Sequence, residues 1–272
     1  MAVTAAEVNK LRKQTGLGLM DCKNALVEAE GDFEKAIEIL RKKGQKIAAK
    51  RGENDAAEGY VVAKTATDGK SGISLVLNCE TDFVAKNQDF VDFANAIADL
   101  ALNNLPSSKE ELAGLDMGGE TVAQAIENQM GKIGEKLEVS DYGMISAECV
   151  VAYNHPGNRT ASLVGINKEN AEIGRDVAMQ VAAMAPVALD ESGVSEEIKQ
   201  KEMEIGKEQA IAEGKPEQIA EKIAVGKLNK FFKEKTLMNQ EFIKESKKTV
   251  KQYLKEVDGD LVVEGFKLIT LS

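Results

Sequence analysis

The chain is 272 residues long, carries a formal charge of -10 at neutral pH, and has no tryptophan and only 4% aromatic residues. That length leaves room for two or more units, whose cores must rely on Ala, Val, Ile and Leu, and the 43% hydrophobic share argues against wholesale disorder. The acidic balance works against a large nucleic-acid footprint, which needs clustered Lys and Arg to neutralise phosphates, and favours a protein partner.

Residues 4–44 read as three short helices. Thr4-Ala5-Ala6-Glu7 is a capping box, in which a hydroxyl and a carboxylate satisfy amides that a helix start leaves unpaired. Val8 and Leu11 supply the apolar face that follows. "TGLG" breaks this helix, Leu19, Cys22 and Leu26 carry the second, and Phe33, Ala36, Ile37 and Leu40 mark the third at helical spacing. Gly31-Asp32 and Gly44 punctuate the ends, and "QKIAAKRGENDAA" follows as a polar connector. A bundle of about 40 residues has a marginal core, so it is expected to gain stability from a partner or from the rest of the chain.

A weak internal repeat comes next. "AEGYVVAK", a turn at Asp68-Gly69-Lys70-Ser71, "GISLVLN" and the Ala-rich "FANAIADLAL" are echoed by "SAECVVAY", the turn "NHPGN", "ASLVGIN" and "GRDVAMQVAAMA". Each unit reads as a hairpin followed by a helix of small apolar residues, which predicts a pseudo-twofold α+β core. Residues 107–138, charged and interrupted by glycine, read as a helical insertion ending in "KIGEKLE".

From Ser195 to Phe232 the pattern is a helical hairpin, "SEEIKQKEMEIGKEQAIAE" and "EQIAEKIAVGKLNKFF" around "GKP", with Pro216 fitting the first turn of the return helix. Its apolar positions, among them Ile198, Ile205, Ile219, Ile223 and Leu228, are too few for a compact domain, so it is expected to project from the core. A further helix near 248–256 precedes "LVVEGFKLITL", a strand expected to complete the second unit's sheet.

Catalytic patterns are scarce. The only histidine, His155, lies in a Pro-Gly turn with no Ser or Cys nucleophile beside it. "TDGKS" has Lys64 where a phosphate-binding loop needs its first glycine, so no nucleotide site is expected. Cys22, Cys79 and Cys149 form no Cys-x-x-Cys pair and read as reduced, buried thiols. No cofactor and no bound metal are expected. No apolar run approaches the ~18 residues of a bilayer span and the start lacks a signal-peptide pattern, so the expectation is a soluble, cytoplasmic protein. The basic cluster Lys42, Lys43, Lys46, Lys50 and Arg51 could touch RNA, but lacks interleaved aromatics and reads better as a solvated helix face.

The stretch "CETDFVAKNQDF" follows the second strand of the first unit and leaves two readings open. In one, Thr81 or Asp82 caps a helix and Phe83 joins the core. In the other, Phe83 stands exposed beside a carboxylate as an anchor for a partner's pocket.

"TGLGLMDCKNAL", "CETDFVAKN" and the helical hairpin, in this order and spacing, resemble the bacterial elongation factor Ts family, over nearly the whole chain. The resemblance implies an α+β fold with a ubiquitin-associated-like three-helix domain and linker at 1–55. A core subdomain would follow at 56–140 and a second at 141–272, interrupted by a coiled-coil hairpin at 187–232. It implies guanine nucleotide exchange on the GTPase elongation factor Tu, without covalent catalysis. Thr81, Asp82, Phe83 and Val84 would form an intruding loop that disturbs the partner's Mg²⁺ region. Arg12, Leu19, Met20 and Lys23 would grip the GTPase domain, with Ile133, Gly134, His155, Ile243 and Lys244 as further contacts. Leu19 could alternatively be core, and Arg12 and Lys23 solvated charges. Lys244 departs from the methionine more usual in the family. The chain lacks the C-terminal helical module of some members, so binding is expected through the N-terminal domain and core. A homodimer or a 2:2 complex with the partner stays open. The alternative function is a ubiquitin-associated-like adaptor or chaperone whose hairpin presents client surfaces.

Overall fold

Helix α1 (Ala5–Thr15) begins at the expected capping box, with the Glu7 N–H donating to the Thr4 hydroxyl and the Thr4 N–H to the Glu7 carboxylate. It ends at Gly16, whose φ of 71° lets its N–H turn back to the Arg12 carbonyl at 2.8 Å. Helices α2 (Leu19–Glu28) and α3 (Phe33–Arg51) follow, the latter capped by Asp32. Val8, Leu11, Cys22, Leu26, Ala36 and Leu40 form their shared core. The structure is a computed structural model that describes residues 3–271. Met1, Ala2 and Ser272, at the ends of the expected terminal segments, lie outside the described residues.

Gly44 does not end the third helix. α3 runs through it to Arg51 and absorbs the first part of the expected polar connector. The glycine serves packing: a Cβ built on Gly131 of helix α7 (Val122–Ile133) would stand 2.7 Å from the Gly44 Cα. Two glycines thus let α3 and α7 approach backbone to backbone.

Strands β1 (Glu58–Thr65) and β2 (Ser71–Cys79) form the first hairpin, turning at Gly69 with φ 70°. A one-turn helix α4 (Asp82–Ala85) leads to α5 (Gln88–Asn104), which buries Phe90, Ala94, Ile97, Ala98 and Ala101 at helical spacing. Helix α6 (Lys109–Gly114) and α7 make up the insertion, and strand β3 (Glu138–Ser146) closes a sheet of order β1-β2-β3. β3 is a correction to the sequence reading, which took the insertion up to 138 and restarted at 146. Its residues are mostly half-exposed, with Asp141 and Gly143 inside it, so no period-two apolar signal marks it.

The second hairpin pairs β4 (Cys149–Asn154) with β5 (Thr160–Ile166), Val151 facing Val164 and Asn154 facing Ala161. Helix α8 (Ala171–Met184) packs on it through Ile173, Val177, Ala178 and Val181. Helices α9 (Glu196–Ala212) and α10 (Glu217–Lys235) form the expected hairpin, with Ser195 capping α9 and Pro216 one position before the α10 start. A small ribbon of β6 (Glu241–Phe242) and β7 (Glu245–Thr249), helix α11 (Val250–Val257) and strand β8 (Val263–Thr270) complete the chain. β8 joins a sheet of order β4-β5-β8, as expected. Hairpin, helix, insertion and late third strand therefore occur twice, which accounts for the repeat in the sequence.

The seam of the helical hairpin differs from the one read in the sequence. Gly206, Ala210, Ala220 and Ala224 are its buried residues, while Ile198, Ile205 and Ile219 are exposed. Small side chains admit the close approach of the two helices: a Cβ on Gly206 would lie 3.1 Å from the Ala224 Cα. Larger aliphatic residues are pushed to the flanks. Lys207 reaches across to Glu217 and Glu221 at 2.8 and 3.3 Å.

The fold comprises two compact units. The first takes in residues 3–62, 75–143 and 270–271; the second takes in Ala63–Ser74 and Met144–Ile269.

Candidate functional site

In the first unit, the chain turns twice between β2 and α5. Thr81 caps α4, its hydroxyl accepting from the Val84 N–H at 3.4 Å, and Asn87 caps α5 by accepting from the Asp89 N–H at 2.9 Å. Two caps this close break the helix axis between them, so α4 does not share the buried face of α5. Phe90 on α5 is fully buried, whereas Phe83 on α4 is 83% exposed. Thr81 takes the cap role that one reading allowed, and the core position for Phe83 in that reading is overturned. An exposed ring of this size leaves about 1.5–3 kcal/mol of transfer free energy for an apolar pocket to supply.

A reciprocal pair of carboxylates holds the base of this turn. The Glu80 and Thr81 N–H groups donate to Glu135 Oε2 at 3.2 and 3.1 Å, and the Thr81 hydroxyl donates to Glu135 Oε1 at 2.7 Å. In return the Lys136 N–H donates to Glu80 Oε1 at 2.6 Å. The other Glu80 oxygen receives the Arg51 guanidinium and the Asn54 amide, each at 3.0 Å. Donation from the Lys136 amide, then from Asn54 and Arg51, holds the Glu80 carboxyl below its ordinary range. Asp82 is likewise lowered, by the Lys86 ammonium 2.7 Å away, but that pair is open to solvent and contributes little to stability.

Ile133 ends α7 half-buried, and Gly134, at φ 80°, caps it with an N–H bond to the Met130 carbonyl. Glu135 follows directly, so its clamp ties the segment after α7 to Glu80 and Thr81. Sequence reasoning missed the Glu80–Glu135 pair, whose members are 55 positions apart; only the quoted segments "CETDF" and "KIGE" touched it.

Helix α2 has two apolar faces. Cys22, Ala25 and Leu26 point into the bundle, while Leu19, Met20 and Val27 are about half exposed or more. Leu19 is therefore not core. Val27 was missed, although Met20, Lys23 and Val27 stand at i, i+3 and i+7 on one face. Arg12 on α1 and Lys23 on this face are both exposed. Within the basic cluster, Lys42 pairs with Glu38, Lys43 with Asp21 and Arg51 with Glu80.

The second unit carries the remaining candidates on two separate turns. His155 is exposed after β4, its Nδ1 3.1 Å from the Tyr153 hydroxyl. The preceding Asn154 amide bonds both the N–H and the C=O of Ala63, at 2.8 and 2.9 Å, standing in for a strand partner. Ile243 is 44% exposed at the β6–β7 turn, where its N–H donates to Gln180 Oε1. Lys244 pairs with the nearly buried carboxylate of Asp176, which also accepts from the Tyr253 hydroxyl. Lys244 thus has an internal partner.

All three cysteines are free and buried, and burial pushes the Cys79 thiol up to about 12. Among the described residues no group of three or more His, Cys, Asp or Glu is arranged to hold a metal, and no helix is long and apolar enough to cross a membrane. The arrangement offers a presented aromatic ring at Phe83 and exposed apolar side chains on α2.

A family model described as Elongation factor TS matches residues 80–271. The chain is similar to Elongation factor Ts of Christiangramia forsetii, 51% identical over 99% of each chain. It is also similar to Elongation factor Ts of Amoebophilus asiaticus, 50% identical over the full length of both, and of Cytophaga hutchinsonii, 50% identical over 99% of each.

Proposed function

The chain belongs to the elongation factor Ts family, and from that premise we propose that it is a cytoplasmic exchange factor that binds elongation factor Tu in its GDP form and promotes replacement of GDP by GTP. Phe83 enters an apolar space between helices of the GTPase, with Asp82 redirecting nearby helix-end contacts. The intrusion displaces the partner's Mg²⁺, and phosphate charge then loses its compensation, so nucleotide affinity falls. By linkage, nucleotide weakens the factor's own binding equally, which makes the ternary complex transient. Arg12, Leu19, Met20 and Lys23 hold the GTPase domain, Ile133 and Gly134 flank the Phe83 turn, and His155, Ile243 and Lys244 supply further contacts. The factor makes and breaks no covalent bond.

The observation that carries this reading is the 83% exposure of Phe83 on a turn whose base is fixed by hydrogen bonds. Its test is release of a fluorescent GDP analogue from the cognate GTPase in stopped flow. Wild type should accelerate release strongly, and Phe83→Ala should lose roughly tenfold or more of that acceleration while retaining its fold. Acceleration indifferent to Phe83→Ala would sink the mechanism. No acceleration by either protein would sink the function.

A further inference from the structure

We propose that Glu135, together with Glu80, is a positioning residue for exchange: it acts through Phe83 by holding the turn that presents the ring. The inference deepens the exchange reading and rests on it.

Phe83 has little packing of its own, being 83% exposed on a helix of four residues. A single helical turn is not stable by itself, because fixing its dihedrals gains too few hydrogen bonds. Something outside α4 must hold it, and none of its own residues is buried. The Glu135 carboxylate meets this need with three bonds to two consecutive residues: the N–H groups of Glu80 and Thr81 and the hydroxyl of Thr81. The same hydroxyl accepts from Val84, so the carboxylate, the cap and the first turn form one chain of bonds. Charged acceptors make the stronger hydrogen bonds. Glu80 secures the reverse direction by receiving the Lys136 N–H, which fixes the segment bearing Glu135. Arg51 and Asn54 tie that carboxylate to the end of α3. A ring held in its bound orientation spends less of its contact energy on ordering, which is the benefit of preorganisation. Glu135 touches neither nucleotide nor partner in this account.

Four variants test the proposal in the GDP-release assay: Phe83→Ala, Glu135→Ala, Glu135→Gln, and the Phe83→Ala/Glu135→Ala double. Glu135→Ala should lower the maximal release rate at saturating factor by roughly tenfold, the scale of lost hydrogen bonds to a charged group. Glu135→Gln should restore most of it, because an amide oxygen can still accept both backbone N–H groups. The double variant should be no slower than Phe83→Ala alone, since the two residues act as a unit. Loss of these bonds lowers the melting temperature in either case; a purely structural role would instead add its loss to the Phe83 effect. Should Glu135→Ala not fold, Thr81→Val keeps the shape, removes the hydroxyl link and should show the same non-additivity. Additive losses, or a wild-type maximal rate in Glu135→Ala, would overturn the positioning role while leaving the exchange reading intact. An inert wild type overturns both.

Discussion

Glu80 uses its charge on three donors at once, the Lys136 amide, the Asn54 amide and the Arg51 guanidinium, and this depresses its folded-state pKa. A carboxyl lowered on folding adds stability that is present above its ordinary 4.5 and is lost as pH falls through the folded value. Glu80→Gln should therefore melt earlier than wild type near neutral pH, with the difference shrinking below pH 4.5. Melting curves across that window check this, and an offset that stays constant into strong acid would show that the lost contact is not ionic. The same residues show what a sequence conveys at this scale. Thr81 is legible as a cap, with Asp82 as its alternative, because capping needs only local residue types; the Asn87 cap went unread. Phe83 and Phe90 are not separable by type: both follow a cap, and only the broken axis between α4 and α5 sends one ring outward and the other into the core. Glu135 is invisible to any local rule, since its partners come from a strand end 55 positions away.

At the scale of elements, Gly44 and Gly131 meet at the α3–α7 contact, but unequally. A Cβ on Gly44 would find the Gly131 Cα at 3.6 Å, an ordinary contact, whereas one on Gly131 would meet the Gly44 Cα at 2.7 Å. Gly44→Ala should therefore gain about 0.5–1 kcal/mol from helix propensity. Gly131→Ala should lose about 1–3 kcal/mol as α7 is forced away from α3. Denaturant titrations of the two variants decide it, and equal effects would mean that the helices do not approach through these glycines. Neither role was legible, because a glycine inside a helical pattern looks like a stop. The hairpin seam was misread for a related reason: large aliphatics are the usual sign of a buried face, yet helices packed this closely bury Gly206, Ala210, Ala220 and Ala224. β1, β2, β4, β5 and β8 were readable as apolar runs, and α5 and α8 from their helical spacing. β3 was not, for its residues are mostly half-exposed and lack alternation.

For the molecule as a whole, the exchange mechanism is a statement about coupling. A factor that makes no bond can change nucleotide affinity only by differing in its interaction with the loaded and empty states of its partner. In the proposed mechanism the difference is carried by Mg²⁺: Phe83 contributes by making the ion's site untenable, while the α2 face and the second unit's turns supply binding that is indifferent to the ion. The two contributions separate when the ion is removed by other means. In excess chelator the GTPase has already lost its Mg²⁺, so the intrusion has less left to accomplish. The release rates with wild type and with Phe83→Ala should therefore converge in chelator from a gap of roughly tenfold in Mg²⁺, with both variants still bound. Stopped-flow release with and without chelator, at saturating factor, measures this directly. A gap that persists undiminished without Mg²⁺ would mean that Phe83 acts on the nucleotide pocket by a route other than the ion.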